Sequence, residues 1–237
     1  MRVSVYGQRH RSCRARDGPF ENGFAARYAG AVAAKPSAKK IRIGRLYLSG
    51  TDPQIDKALD EALAQGRFQV IALNQAFKAK WDQAEADAAT VAAAGAWISD
   101  RKYFGKSDVS ARTKAIITLG QFQYTANYQK ALGRQAKWQH ALGQVFEKVD
   151  FIALPTLQKL PPKIPLFGGG AVFEAQVLGL QNTEAVNFAG NPALAIPIPS
   201  QDKTVPVTSL QLVGPRLSEA ALLNAGRLIE AKRSRPD

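Results

Sequence analysis

The chain has 237 residues, 46% of them hydrophobic, which is enough apolar material for one core or two small ones. It contains one cysteine and two histidines, which excludes an internal disulfide or a cysteine-based zinc site and disfavours a histidine-rich one. The net charge is +13, of which residues 1–40 carry +7 from nine Lys or Arg against two acids, so it does not predict nucleic-acid binding by the folded body.

Residues 1–40 show neither helical nor strand periodicity, and three explanations stay open for them. They fit a disordered basic tail, which would bind nucleic acid only non-specifically. The acid-poor composition of residues 1–16 also fits a cleaved targeting peptide. A misread start or shifted reading frame would instead make the segment foreign to the fold. We therefore predict two parts, residues 1–40 and a folded domain at 41–237.

Residues 41–73 predict a strand, a helix and a second strand. Residues 41–47 alternate between apolar and polar side chains, which is typical of a strand. Asp52 and Pro53 then form a helix start, and Gly66 marks its end. A Rossmann nucleotide site would need a glycine-rich turn after the first strand, and only one glycine follows it, so we reject that site.

The middle of the chain predicts helices followed by a buried strand. Residues 81–98 and 111–148 are helical in pattern, and the polar residues 100–110 link them. The second helix carries an apolar stripe that predicts a core or interhelical face: Tyr124, Tyr128, Leu132, Trp138, Leu142, Val145 and Phe146. Residues 151–154 form a continuous apolar run, as in a strand buried on both faces.

The end of the chain predicts a loop, a helix, two strands and a closing helix. Residues 160–170 contain three prolines and three consecutive glycines, which predicts a loop before a helix at 172–186. A tight corner is predicted at Gly190-Asn191-Pro192. The runs at residues 193–197 and 209–214 suit an antiparallel pair, and Ser218 is the predicted cap of a helix ending near Lys232.

These motifs resemble the carboxyl-terminal end of the amidase signature family. The residues that carry the resemblance are Asn187, Gly190-Asn191-Pro192, Pro197, Leu210–Gly214 and Asp150–Thr156. The resemblance reaches back to about Ile41. It implies an α/β fold with a mixed sheet flanked by helices, hydrolysis of carboxylic amide C–N bonds in the intact family, and no cofactor or metal.

The catalytic segment of that family does not appear in this sequence. The resemblance implies a Ser–cis-Ser–Lys triad, in which lysine takes a proton through the bridging serine while the second serine attacks the carbonyl. The chain has no adjacent serine pair, and the glycines at 168–170 have no serine beside them. We therefore predict no catalytic residue, and a truncated, catalytically incomplete form.

Other residue patterns do not replace that triad. Ser37 and Lys39 form a chance pairing in a Lys- and Ala-rich segment, and His140 is expected to be a surface or half-buried structural residue. Gly105-Lys106-Ser107 lacks the earlier glycine of a phosphate-binding loop. Glu174 and Glu184 precede the Asn187 motif, and solvated carboxylates are the simpler interpretation.

Binding residues are implied by the resemblance alone. It places residues 166–173 and 176–186 near the substrate pocket, so an apolar wall for a small amide substrate would be formed by Leu166, Phe167, Phe173 and Leu178. Simple core packing stays the alternative for each of them. Thr156 and Asn187 are expected to satisfy backbone groups at strand ends.

Two functions from different classes stay open. The chain is either an incomplete amidase, or a non-catalytic binding or regulatory module that completes a separately encoded amidase or amidotransferase amino-terminal half. Assembly of the chain into a homo-oligomer also stays an alternative. In either case we expect exposed apolar faces, marginal solubility and, from the low cysteine content, a cytoplasmic location without membrane contact.

Overall fold

The structure is a computed structural model that describes residues 40–66, 68–160, 181–202 and 205–231. Within these ranges the strands are Arg42–Arg45 (β1), Gln69–Ala72 (β2), Phe151–Pro155 (β3), Ala193–Pro199 (β4) and Val207–Val213 (β5). The α-helices are Pro53–Gln65 (α1), Gln75–Asp100 (α2), Ala111–Ala126 (α3), Tyr128–Phe146 (α4), Glu184–Ala189 (α5) and Glu219–Ala231 (α6). A short 3-10 turn at Arg101–Tyr103 follows α2.

The five strands form one mixed sheet in the order β2-β1-β3-β5-β4. β1 pairs in parallel with β2 and β3, whereas β5 is antiparallel to β3 and β4. The parallel half arises from the β1–α1–β2 unit, because a helix between two strands returns the chain in the same direction. The predicted α/β fold with a mixed sheet is therefore confirmed.

Two hydrophobic cores lie on opposite faces of the sheet. β3 contributes to both, because Ile152 and Leu154 face one core while Phe151 and Ala153 face the other. The first core is completed by α2, α4 and α5, and the second by α1 and α6. The continuous apolar run at 151–154 is thus a strand buried on both faces, as predicted.

The local start and stop signals in the sequence are confirmed at α1 and at the turn after α5. The Asp52 side chain accepts a hydrogen bond from the Gln54 amide at 2.9 Å, and the Gly66 amide closes α1 onto the Leu63 carbonyl. Gly190 adopts φ 74°, a left-handed conformation that suits a residue without a Cβ. Beside it, Asn191 donates from Nδ2 to the Gly214 carbonyl at 2.8 Å.

Three predicted details differ from the structure. The helix expected over 111–148 is two helices that meet at Asn127, and of its apolar stripe Tyr124 is 38% exposed. The Ser218 hydroxyl donates to the Pro215 carbonyl at 2.7 Å instead of accepting from an α6 amide. The helix predicted at 172–186 falls partly outside the described residues, and its described end is helical only from Glu184.

Large apolar side chains are exposed at several places in the described part of the chain, among them the outer strand β2 and helix α3. All four residues of β2 are exposed, including Val70 at 44%. α3 packs on α2 through Ile117 and Gly120, while Leu119 and Phe122 are 55% and 62% exposed. Exposed apolar area of this kind marks interaction surfaces or aggregation-prone ones.

Candidate functional site

A buried polar cluster lies where β3 ends, and Asn182 is its centre. This side chain is fully buried and donates from Nδ2 to the Pro155 carbonyl at 2.8 Å. Its Oδ1 accepts from Gln158 Nε2 at 3.0 Å, and its backbone carbonyl accepts from Gln211 Nε2 at 3.1 Å. The Asn182 amide bonds to the Thr156 carbonyl. Both the side chain and the backbone of Asn182 are therefore hydrogen-bonded within the site.

Two hydroxyl groups complete this cluster. Thr156 Oγ1 and Ser209 Oγ are 2.9 Å apart, and the Thr156 amide also bonds to the Ser209 carbonyl. A serine becomes a nucleophile when a base accepts its proton. Among the described residues, no serine hydroxyl has a lysine or histidine as its hydrogen-bond partner. Ser209 is therefore a structural hydroxyl here.

The cluster lies at the two ends of the connection between Leu157 and Gln181, which includes residues 166–173 and part of residues 176–186, the ranges that the resemblance places near the substrate pocket. Leu157 and Gln181 form an antiparallel bridge, so the chain leaves β3 and returns to the same place. Asn182 comes directly after this bridge and ties it to β3. The four predicted wall residues lie between these anchors but outside the described residues: Leu166, Phe167, Phe173 and Leu178. Their assignment stays a prediction.

Two carboxyl groups interact electrostatically near the cluster's Asn182, Glu85 on α2 and Glu184 at the start of α5, two residues after Asn182 in the chain. Glu85 accepts a hydrogen bond from Trp81 Nε1 at 2.9 Å. Burial raises the pKa of Glu85 to about 7, and the nearby Glu184 and Asp82 carboxylates add to the effect, whereas the Trp81 hydrogen bond opposes it. Burial also raises the pKa of Glu184, the first residue of α5. A carboxyl with a pKa near 7 exchanges its proton at neutral pH.

Helix α4 holds the short helix α5 in place through three side chains. Trp138 Nε1 donates to the Ala185 carbonyl at 2.8 Å, Gln135 Nε2 to Phe188 at 2.7 Å and Gln139 Nε2 to Ala189 at 3.1 Å. These bonds satisfy carbonyls in and at the end of a helix that has only six residues. The position of Glu184 therefore depends on α4.

The remaining sequence candidates do not join this site. His140 is exposed, with its Nε2 3.1 Å from Gln144 Nε2, which confirms a surface residue. Gly105, Lys106 and Ser107 are exposed in the connection between α2 and α3. Asn187 is exposed within α5 and not at a strand end. Ser37, Lys39 and Glu174 lie outside the described residues.

Two other features, a metal site and a membrane-spanning helix, are not found in the part of the chain that the structure describes. No group of three or more His, Cys, Asp or Glu side chains converges there in a way that would hold a metal ion. None of the helices there is both long enough and apolar enough to cross a bilayer.

Sequence reasoning missed the central residues of the site. Asn182, Gln158 and Gln211 have no motif that distinguishes them from other amides in the chain. The one usable signal is at Gln211, a polar side chain between Leu210 and Leu212 in β5, whose last four residues are all buried. A buried amide in a strand needs a hydrogen-bond partner, which predicts a polar neighbour without identifying it.

Comparison with known proteins defines the class. The amidase family model matches residues 26–223, so this chain belongs to the amidase family. It is 28% identical over 225 residues to a glutamyl-tRNA(Gln) amidotransferase subunit from Archaeoglobus fulgidus, and the match covers 82% of this chain and 47% of that protein. The chain thus spans about half the length of this relative. The separate status of residues 1–40 stays a prediction, and the family match begins within them.

Solved structures share the fold. One belongs to a vestigial protein complex described with the evolutionary origins of an s-triazine catabolic enzyme, with a TM-score of 0.69 and 18% identity. That match covers 86% of this chain and 45% of the other. Another is 6-aminohexanoate cyclic dimer hydrolase complexed with substrate, at TM-score 0.63 and 17% identity, covering 97% and 51%.

Proposed function

We propose that this chain supplies the carboxyl-terminal, substrate-facing part of an amide hydrolase and does not itself supply the nucleophile or the base. The observation that carries the proposal is the family match over residues 26–223 in a sequence without a Ser-Ser pair. The hydroxyls of Ser99, Ser110, Ser209 and Ser218 also have hydrogen-bond partners that would not activate them. In this sense the chain is a catalytically incomplete, truncated amidase.

The substrate is a small carboxylic amide, and the pocket wall is the segment between Leu157 and Gln181. The bridge between these two residues and the bonds of Asn182 support this assignment, because they hold both ends of the segment beside a buried polar cluster. Within the segment, the apolar wall is formed by Leu166, Phe167, Phe173 and Leu178. No cofactor is needed, since amide hydrolysis by a serine nucleophile requires only a base and oxyanion donors.

Amide hydrolysis and active-site labelling test this proposal together. The purified chain should release no ammonia from carboxylic amides and should not react with a serine-directed fluorophosphonate. When a separate polypeptide that carries the Ser–Ser–Lys triad expected of the family is added, we expect labelling and ammonia release, with the label on the added polypeptide. Strong labelling of the chain alone would contradict the proposal.

A non-catalytic binding or regulatory module is the second candidate, and the asymmetry of the sheet favours it. β4 carries Pro197 and Pro199, whose missing N–H groups make its outer edge unsuitable for another strand. The opposite edge strand, β2, has neither proline nor charge, so it is open to pairing. If the chain is such a module, it should form a stable complex with a separate amidase polypeptide. It should also change the rate of amide hydrolysis by a partner that is already active.

Assembly and location follow from either candidate. The relatives are named as one component of an amidotransferase, which supports work within a larger assembly, and a homo-oligomer is the simpler version of it. We place the protein in the cytoplasm, because a chain with one cysteine does not depend on an oxidising compartment. Light scattering at several concentrations and microscopy of a fluorescent fusion test these two points.

A further inference from the structure

A continuous groove runs between helices α2 and α4 on the side of the molecule next to β2. It consists of two adjoining cavities of about 490 Å³ and about 370 Å³. Lys80, Ala141 and Gln144 line both cavities, so the cavities join. The groove is separate from the polar cluster around Asn182, which contributes no residue to its lining.

The floor of the groove is apolar. Phe77 and Val149 lie towards β2, and Ala84 and Trp138 lie towards the other end. Alanines on both helices leave the space between them open. Along α2 the lining extends from Ala76 to Asp87, eleven residue steps of 1.5 Å or about 17 Å, which equals three turns of a second helix.

The rim of the groove is positively charged. Lys80, Lys137 and Lys148 line it and are exposed. Among the described residues that line the groove, the one carboxylate is Asp87, which is buried and accepts from Arg134 Nε at 2.8 Å and from Gln83 Nε2 at 3.1 Å. It therefore does not offset the charge of the three lysines.

Charge decides between the possible occupants. The chain's own residues 1–40 carry +7, which would place like charge against the rim, and a second copy carries +13 overall, so long-range repulsion opposes its approach. A membrane surface is too flat to fill a groove between two helices. An acidic segment of a different polypeptide fits both the shape and the charge.

We propose that this groove binds an acidic amphipathic helix of another polypeptide, about three turns long. Its apolar residues, at positions i, i+3, i+4 and i+7, pack on the floor formed by Phe77, Ala84 and Trp138. Its carboxylates pair with Lys80, Lys137 and Lys148 at the rim. The groove is independent of the proposed enzymatic role, because none of these residues belongs to the polar cluster.

The test titrates the full-length chain with synthetic 14-residue peptides. One peptide has leucine at i, i+3, i+4, i+7 and glutamate beside them, and a second has lysine in place of every glutamate. Both are followed by peptide anisotropy and by tryptophan emission, since Trp138 lines the groove. We expect saturable binding of the glutamate peptide that weakens with salt, and at least tenfold weaker binding of the lysine peptide.

Paired variants locate the binding surface. Lys80→Glu with Lys137→Glu should weaken binding of the glutamate peptide at least tenfold. Lys130→Glu with Lys106→Glu makes the same charge change at exposed positions outside the groove and should have little effect. Circular dichroism and Tm establish that each variant is folded.

Three results would overturn the proposal: absence of saturable binding, equal binding of the two peptides, or equal losses in the two pairs of variants. Saturation of the Trp138 signal by a small anion such as benzoate, without peptide binding, would assign the groove to small molecules and would also overturn it.

Discussion

Asn182 donates a hydrogen bond from Nδ2 to the carbonyl oxygen of Pro155 at 2.8 Å, and it does so with no exposure to solvent. The bond joins the last residue of β3 to the residue that follows the bridge at Gln181. An amide so placed holds the base of the proposed pocket wall, because its Oδ1 also fixes Gln158. The site is therefore built on a long-range contact and not on a sequence motif.

Replacing this amide should destabilise the protein strongly. Asn182→Ala leaves the Pro155 carbonyl and the Gln158 amide without their partner in a buried site, which costs about 2–4 kcal/mol in the free energy of unfolding. Urea unfolding followed by tryptophan fluorescence measures this loss in the free energy of unfolding. Asn187→Ala, at an exposed position five residues on, should change the free energy by no more than about 0.5 kcal/mol. Equal effects of the two substitutions would argue against the role of Asn182.

Stability should depend on pH through Glu85. Because burial raises its pKa to about 7 in the folded state, the folded protein holds this proton more tightly than the unfolded chain. The contribution of Glu85 to the free energy of unfolding is complete below the ordinary carboxyl pKa of about 4.5. It is lost as the pH rises through 7. The loss between those limits is about 3 kcal/mol.

Glu85→Gln should remove this dependence, because the neutral amide oxygen still accepts the hydrogen bond of Trp81. Urea unfolding at pH 5 and pH 8 should show a smaller decline in the free energy of unfolding for this variant than for the parent chain. Glu147→Gln, at an exposed position, serves as the matched control and should follow the parent. A parent chain that is equally stable at pH 5 and pH 8 would contradict the assignment.

The contact between α2 and α3 depends on a glycine. A Cβ on Gly120 would lie 2.3 Å from the Ala93 carbonyl oxygen, so Gly120→Ala has to separate the two helices. We expect a loss of about 1–3 kcal/mol in the free energy of unfolding, although alanine is the better helix former. In α4, a Cβ on Gly133 would meet nothing within 4 Å, so Gly133→Ala should stabilise by about 0.5–1 kcal/mol. Thermal unfolding of both variants measures the difference, and the same sign in both would contradict the packing argument.

The exposed face of α3 should limit the solubility of the isolated chain. Leu119 and Phe122 are more than half exposed on a helix that contacts mainly α2. Leu119→Glu with Phe122→Glu should raise the concentration at which light scattering detects aggregates. Gln121→Glu with Thr118→Glu adds the same charge on the same helix without removing apolar area and should help less. Equal gains in solubility for the two pairs of variants would show that the added charge alone, and not the lost apolar area, raises the solubility.

Local structure was predictable where one residue or a short period determines it. Asp52 caps α1, Gly190 takes the left-handed conformation, and the apolar run at 151–154 is buried on both faces. These features depend on neighbours in the sequence, which the pattern contains. The break at Asn127 was missed, because helical periodicity continues across it.

The candidate site was not predictable, for a physical reason. Asn182 bonds to Pro155 across 27 positions, and Gln211 bonds to Asn182 across 29. Periodicity predicts which face of an element is buried but not which side chain of another element it meets. The raised pKa of Glu85 likewise requires the burial that the tertiary fold creates around it.

The sequence by itself determined the class of fold, the order of its strands and helices, and membership of the amidase family without that family's paired serines. The tertiary structure decided which polar groups converge at the end of β3, which edge of the sheet is open, and that α2 and α4 leave a basic groove between them. Those properties arise when distant segments pack together, because hydrogen bonding, burial and electrostatic interaction depend on distance in space.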